Sequence, residues 1–212
     1  MRIGPVEVKG HHILLRSPRF DDAAMWREAR LRERARIEPW WASSSLSWDE
    51  RHSDAMWVTS VIQLRREARA GRAMPLVVEI DGRVAGQLNL EWIAEHTATA
   101  ELGIWVDSRW AGQGLSAVAA GMIIDYAVEE LGLQRLIAPI CEGNVAAAWG
   151  AVLIGMQREG TMAGFLEVAG ERRNHDLWAI TADKLPRGGL TAAMRATALR
   201  PRGARSTVPP PT

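Results

Sequence analysis

Residues 109 to 114 read Arg-Trp-Ala-Gly-Gln-Gly and join a strand-like run, Ala100-Glu101-Leu102-Gly103-Ile104-Trp105-Val106, to the start of an apolar helix. Two glycines let the backbone come close to a ligand, and a helix start offers unpaired N–H groups and the positive end of a dipole. The spacing therefore describes a cradle for an anion, with a diphosphate the best fit. It is not the usual nucleotide grip. No Gly-Lys-Ser/Thr follows to hold a terminal phosphate and magnesium, and no G-x-G-x-x-G fingerprint is present. Taken alone, the same six residues read equally well as a glycine turn between a strand and a helix.

Composition narrows the setting of this cradle. The 212 residues suffice for one substantial core, or for one domain with a tail. A net charge of +1, with 26 basic residues against 25 acidic, argues against general or sequence-specific nucleic-acid binding. The single cysteine, Cys141, has no internal partner, and no Cys/His cluster has metal-ligand spacing, so no metal is expected. No run of 18 apolar residues is present, which points away from a membrane and towards a soluble, cytoplasmic chain.

The elements that must position the cradle follow from periodicity and turn residues. His12 to Arg16 reads as the first strand, and Asp21-Asp22 caps a helix running to about Arg32. Pro39 ends helical structure near Trp40-Trp41, and the serines from Ser43 to Ser45 continue a loop expected on the substrate side. A second helix opens at Ser47-Trp48-Asp49-Glu50, uses Met56, Trp57, Ile62 and Leu64 as apolar contacts, and ends near Gly71. Asp81-Gly82 joins strands 75–80 and 83–90 as a tight hairpin. After the cradle come a helix from Leu115 to Leu131 and a strand over 135–140. A helix over 145–153 and strands at about 157–168 and 176–182 complete the order. It is mostly β-α-α-β-β-β-α-β-α-β-β, an α+β arrangement. From Pro186 to Thr212 glycine, arginine and proline dominate, so residues 1–185 read as the domain and 186–212 as a mobile tail.

With the cradle set in this order, the chain resembles the GNAT acetyltransferases, in particular their RimJ/RimL branch of ribosomal-protein N-terminal acetyltransferases. The resemblance spans about His12 to Thr181. It rests on His12-Ile13-Leu14-Leu15-Arg16, Glu38-Pro39-Trp40, the run from Ala100 to Asp107 and Asp125-Tyr126-Ala127. Glu130-Leu131-Gly132-Leu133, Glu142-Gly143-Asn144, Ile154-Gly155-Met156 and Glu159-Gly160 add to it. It implies a mixed, mostly antiparallel central sheet flanked by helices and splayed at the acetyl-CoA site. It also implies acetyl-CoA as donor, with Arg109, Ala111, Gly112, Gln113, Gly114, Leu115 and Ser116 around the pyrophosphate and backbone groups near Trp105 and Val106 pairing with pantetheine. Asn144 would contact the pantetheine arm. Ser116 reads equally as a residue that starts the helix, and Asn144 equally as an N-cap.

Acetylating an amine requires the neutral amine. An α-amino group near pKa 7.7–8.0 needs modest help, whereas a lysine near 10.4 needs far more, so a weak base favours an N-terminal acceptor. Glu101, which shares a face with Gly103 and Trp105 by two-residue alternation, is the expected base, directly or through water. A structural strand carboxylate is the competing reading, Glu91 is the second candidate, and His96 reads as a hairpin-loop residue. Relatives often place a proton donor on a tyrosine or on an N-x-x-S serine. Here the stretch is Asn144-Val145-Ala146-Ala147, and the sole tyrosine, Tyr126, falls inside a helix. Cys141 reads as a small core residue. Trp40, Trp41, Trp48 and Trp57 cluster where the family places substrate-facing loops and helices; core packing is the competing reading for them, and Trp40 or Trp41 is the candidate wall for the acceptor.

The resemblance therefore implies direct acetyl transfer to a protein N-terminus, plausibly a ribosomal-protein alanine, by a monomer or homodimer. The alternatives are a GNAT enzyme for a small-molecule amine such as an aminoglycoside, polyamine or amino acid, and a non-catalytic acetyl-CoA-binding or ribosome-assembly module.

Overall fold

The computed structural model describes residues 1–200 and contains one eight-stranded sheet with helices on both faces, an α+β fold. Its strands are β1 (Arg2–Val8), β2 (His11–Arg16), β3 (Met74–Ile80), β4 (Arg83–Ala94), β5 (Thr99–Val106), β6 (Arg135–Cys141), β7 (Gln157–Val168) and β8 (Glu171–Thr181). They lie side by side in the order β1-β2-β3-β4-β5-β6-β8-β7. Neighbours are antiparallel except for β5 and β6.

That parallel pair is where the sheet opens. β5 and β6 are in register only over Thr99–Glu101 against Arg135–Ile137. Beyond Glu101 each stays paired on its outer side, β5 with β4 as far as Val106 and β6 with β8 as far as Cys141. Strands that are firmly held on one edge and unpaired on the other leave a slot lined by backbone donors and acceptors. The expected splay is present at this position.

Seven helices cover the sheet among the described residues: α1 (Ala23–Arg32), α2 (Arg34–Ile37), α3 (Trp48–Arg51), α4 (Asp54–Arg69), α5 (Leu115–Glu129), α6 (Val145–Leu153) and α7 (Leu190–Leu199). On one face α1 and α4 bury Trp26, Ala29, Trp57 and Val61 against Val77, Val84 and Trp105. On the other, α5 lies in the main core with Ile13, Leu15, Leu88, Leu90 and Leu102. Helix α5 is apolar nearly all round, the pattern of a helix covered on more than one side.

The second cover is α7, and it corrects the expected tail. Leu190, Met194 and Ala198 bury against the core, and the Asp125 carboxylate accepts from the amides of Leu190 at 2.7 Å and Thr191 at 2.8 Å. Apolar residues at helical spacing, with a carboxylate waiting to cap the first turn, give 190–199 enough to pack. The rest of the expected tail, residues 201–212, lies outside the described residues.

Other differences have local causes. A first strand, β1, precedes the expected one and pairs with β2 through the two-residue turn Lys9-Gly10, both at positive φ. The second helix is two, α3 and α4. Ser47 and Glu50 form a capping box on α3, but Ser53 accepts from Met56 N–H and starts α4 afresh. Asp22 does not cap α1 with its side chain. Its carboxylate accepts from Arg16 at 2.7 and 2.8 Å and from Arg19 N–H at 2.8 Å, which anchors the turn entering α1 to β2.

Candidate active site

The cradle begins on a buried ion network. Asp107, fully buried, accepts from the Arg109 backbone N–H at 2.9 Å and from Arg109 Nε and Nη2 at 2.9 and 2.7 Å, while Arg32 from α1 donates to the same carboxylate. Burial alone would raise the Asp107 pKa, but hydrogen bonds from Arg109 and the charges of Arg32 and Arg109 outweigh it and hold the group below the ordinary carboxylate value. Glu33, also buried, accepts from Ser108 Oγ at 2.7 Å. The C-terminal end of α1 is thereby riveted to the start of the cradle. The Arg109 side chain is part of that rivet, so contact with an anion falls chiefly to backbone.

That backbone is shaped for the task. After a short 3-10 turn at Ser108–Trp110, Ala111 is extended, Gly112 has φ of 72°, and Gly114, at φ 81°, is the N-cap of α5. Ala111 and Gly112 are exposed, Gln113, Gly114 and Ser116 half-exposed, and the Leu115 side chain is sunk in the core. The first amides of α5, among them those of Leu115 and Ser116, have no acceptor within the helix and emerge at this point.

The slot runs from here towards Glu101. Asp107 N–H donates to the Ala85 carbonyl of β4 at 2.8 Å. By alternation along a regular stretch of β5, the amides of Trp105, Gly103 and Glu101 also turn to β4, and those of Val106, Ile104 and Leu102 face the gap towards β6. The Trp105 indole is buried, with Nε1 donating to Gln87 Oε1 at 3.0 Å beside the Trp26 Nε1 donation at 2.8 Å. Close contact fixes this part of β5. A Cβ on Gly86 would stand 2.2 Å from the Trp105 carbonyl oxygen.

The opposite side of β5 presents side chains. Glu101 and Glu91 are direct cross-strand partners, and neither forms an ion pair among the described residues. Asn89 Nδ2 donates to Glu91 Oε1 at 3.2 Å. Burial, and then the charge of Glu91, push the Glu101 carboxyl above the usual glutamate range. Like charges placed directly opposite on a sheet are unfavourable, so the pair invites a cationic or protonated guest.

Farther along β5, on the face that Glu101 shares with Trp105, stands a group of tryptophans. Trp41 is 38 % exposed, and its ring stacks on the Arg30 guanidinium with the carbon 3.9 Å from the ring centroid; Trp105 and Trp48 lie at 4.8 and 5.1 Å. Trp40 reaches the β6–α6 loop, where a side chain at Gly143 would meet its ring at 3.7 Å. Trp48 and Trp57 are fully buried and belong to the core.

Other predicted residues have structural partners. Asn144 Oδ1 accepts from Ala147 N–H at 3.2 Å and so caps α6. Cys141 is buried, which pushes its thiol pKa up. Tyr126 lies eleven residues into α5, well along from the cradle, and His96 sits in the β4–β5 turn. No group of three or more His, Cys, Asp and Glu among the described residues has the geometry to hold a metal, and no described helix is long and apolar enough to cross a membrane.

Two residues beside the tryptophans and the cradle escaped the sequence reading: Arg30, and Lys9, whose Nζ donates to the Gln113 carbonyl at 3.3 Å. Arg30 follows Trp26 and Ala29 at helical spacing, so the signal was an arginine on an apolar face. For Lys9 the signal was a Lys-Gly pair between strand-like runs.

Residues 12–157 match the family described as an acetyltransferase (GNAT) domain. A Bacillus subtilis protein named as a ribosomal N-acetyltransferase, YdaF, is 27 % identical over 168 residues, 78 % of this chain and 88 % of that one. The structure of Mycobacterium smegmatis RimJ in complex with CoA-disulfide is 33 % identical and superimposes with a TM-score of 0.88, over 93 % of this chain and 94 % of that one. The ribosomal-protein-S5-alanine acetyltransferase of Vibrio fischeri shares the fold at 22 % identity, with a TM-score of 0.72 over 81 % and 94 % of the two chains.

Proposed function

The chain belongs to the GNAT acetyltransferase family, and from that premise we propose that it uses acetyl-CoA to acetylate the α-amino group of a protein N-terminus, a ribosomal-protein alanine, in the cytoplasm. The observation that carries the donor half is the slot between β5 and β6 beyond Glu101, ending at the glycine cradle. The names of the similar proteins support the rest. One is a RimJ with CoA-disulfide, another acts on a ribosomal-protein alanine.

The donor brings an acetyl group already activated as a thioester. The amides of Leu102, Ile104 and Val106 then hold the pantetheine arm and polarise the acetyl oxygen, as an oxyanion hole does. Arg109 to Ser116 hold the pyrophosphate, largely through backbone. Asn144 keeps its Nδ2 for the pantetheine arm while its Oδ1 caps α6.

On the acceptor side, Glu101 takes a proton from the incoming ammonium, directly or through water. Its raised pKa brings it nearer to that of an α-amine while leaving it far below that of a lysine, which favours N-termini over lysine side chains. Trp40 and Trp41 flank the first residues of the peptide. Ala147 offers no hydroxyl and Tyr126 lies eleven residues along α5 from its start at the cradle, so water returns the proton to the departing thiolate.

Incubation with acetyl-CoA and a panel of acceptors tests this reading, with CoA release and product mass followed. Peptides beginning with alanine, the same peptides blocked at the N-terminus but carrying lysine, and aminoglycosides make up the panel. Nα-acetylated peptide is the expected product. Product only from the blocked peptides or the aminoglycosides would move the acceptor to another class, and CoA binding without turnover would remove the enzyme.

A further inference from the structure

We propose that Lys9, supported by Arg200, supplies the positive charge that the cradle presents to the diphosphate of its CoA donor. This rests on the acetyl-CoA reading above and adds residues that lie on either side of the family-matched segment 12–157.

The cradle's own arginine is committed elsewhere. The Arg109 guanidinium makes two hydrogen bonds to the fully buried Asp107, a carboxylate it shares with Arg32. A diphosphate arriving at Gly112 to Ser116 therefore meets helix-end amides, with the loop's own arginine already paired. Lys9 fills that gap. It stands at the tip of the β1–β2 hairpin, and its Nζ donates to the Gln113 carbonyl at 3.3 Å, inside the cradle itself. An ammonium has three donors, and Lys9 forms no ion pair among the described residues.

The hairpin is held against the cradle from several directions. His11 packs edge-on against the Trp110 ring, with centroids 5.4 Å apart, and its Nδ1 lies 2.7 Å from Asp81 Oδ2 in the β3–β4 turn. The other Asp81 oxygen accepts from His12 N–H at 2.9 Å. Lys9 itself has φ of 53°, an uncommon conformation for a lysine, where glycine would be at ease.

From the other side comes α7. Lys9, Gly112, Gln113, Gly114, Thr197 and Arg200 border one cavity of about 190 Å³. Two cations from opposite ends of the sequence thus flank one glycine loop.

Calorimetric titration of the full chain with CoA, dephospho-CoA and pantetheine tests this. Lys9→Gly suits the turn's φ and should keep the native melting temperature. It is expected to weaken CoA and dephospho-CoA binding alike by about tenfold, the size of one charge-assisted hydrogen bond, and Lys9→Arg should restore most of it. Pantetheine, which lacks phosphate, should bind wild type and variant equally. Raising salt from about 0.05 to 0.5 M should narrow the gap for CoA as screening takes over. Arg200→Met should weaken CoA by about threefold. Unchanged CoA affinity in Lys9→Gly would overturn the proposal, as would a loss that persists with pantetheine or one confined to CoA and absent with dephospho-CoA. Failure of the wild-type chain to bind CoA at all would instead remove the donor reading beneath it.

Discussion

On the gap side of β5 the groups that face a ligand are backbone amides, set by two glycines and braced by a buried Asp107–Arg109–Arg32 network. On the acceptor side they are side chains: two carboxylates with no ion pair among the described residues, a stacked tryptophan and arginine, and a second tryptophan reaching across to Gly143. Backbone amides recognise a diphosphate whatever else the ligand carries, so the first region specifies a donor class. Side chains set charge, pKa and shape, so the second specifies an acceptor. The two are joined at Trp105, whose strand borders the slot while its ring packs near Arg30.

The largest effect should come from disturbing the backbone region. In Gly114→Val the new Cβ would lie 2.7 Å from Ala198 Cβ, and valine would be forced to φ 81°. Donor affinity should fall by about 100-fold or more, of order 3 kcal/mol, as measured by calorimetry with CoA. The indole N–H resonances of Trp40, Trp41 and Trp48, which report the acceptor wall, should keep their wild-type NMR positions. If those resonances move as well, the two regions do not fold independently of each other and the contrast fails.

Next in size is the carboxylate pair. Glu101→Gln should lower kcat about 100-fold with little change in CoA affinity, the scale of a lost general base. The pH profile adds a sign. Burial and Glu91 raise the Glu101 pKa, so activity should fall on the acid side at a higher pH than an ordinary glutamate would give. Removing the neighbouring charge in Glu91→Gln should move that limb to lower pH. A limb that stays in place would mean that Glu91 does not act on Glu101, and a limb that survives Glu101→Gln would assign it to another group.

The same contrast decides how much was legible in the sequence. The strand, glycine turn and helix could be read from local signals, while the use of that turn as a diphosphate cradle and the splay beside it were what the family resemblance implied. Helix α6 at 145–153 and the Asp81-Gly82 hairpin came from equally local signals. What was missed depends on distant partners. Helix α7 looked like tail because its cap, Asp125, is 65 residues away. Lys9 carried no sign of a link to the cradle because its acceptor is 104 residues on. The commitment of Arg109 to a buried carboxylate cannot be seen from spacing, since it depends on α1 closing over Asp107.

The box behind the acceptor wall makes a smaller, measurable contribution to stability. His52 is buried between Trp26 and Trp48, with ring centroids at 5.2 and 4.0 Å, and its Nδ1 is 2.6 Å from the Trp48 carbonyl. Burial, followed by the charge of Arg30, lowers its pKa to about 4. A histidine with a depressed folded pKa must gain a proton against the fold, so its contribution is intact above the unfolded value near 6.5 and is lost as pH falls towards about 4. Urea unfolding at pH 7 and at about pH 4.5 should show wild type losing of order 2 kcal/mol more than His52→Gln. Equal losses would show that His52 does not report the dryness of the box.

The smallest stability change is expected where the chemistry looks most costly. Arg30 is buried, its Nε and Nη1 have no hydrogen-bond partner among the described residues, and burial, then Arg51, push its pKa down to about 9. Keeping that guanidinium charged at neutral pH costs desolvation that no carboxylate among the described residues offsets. Three indole faces return part of it, at about 0.5–2 kcal/mol each. The two nearly cancel, so Arg30→Met, similar in length and free of unmet donors, should change stability by no more than about 1 kcal/mol, with a gain the expected sign. Function should separate from stability in this variant. Trp41 would lose its stacking partner, and the KM for an N-terminal peptide should rise about threefold while CoA affinity stays at the wild-type value. A loss of stability beyond about 2 kcal/mol would make Arg30 a structural pillar of the fold. An unchanged peptide KM would remove Trp41 from the acceptor wall, leaving the carboxylate pair to define that side of the site.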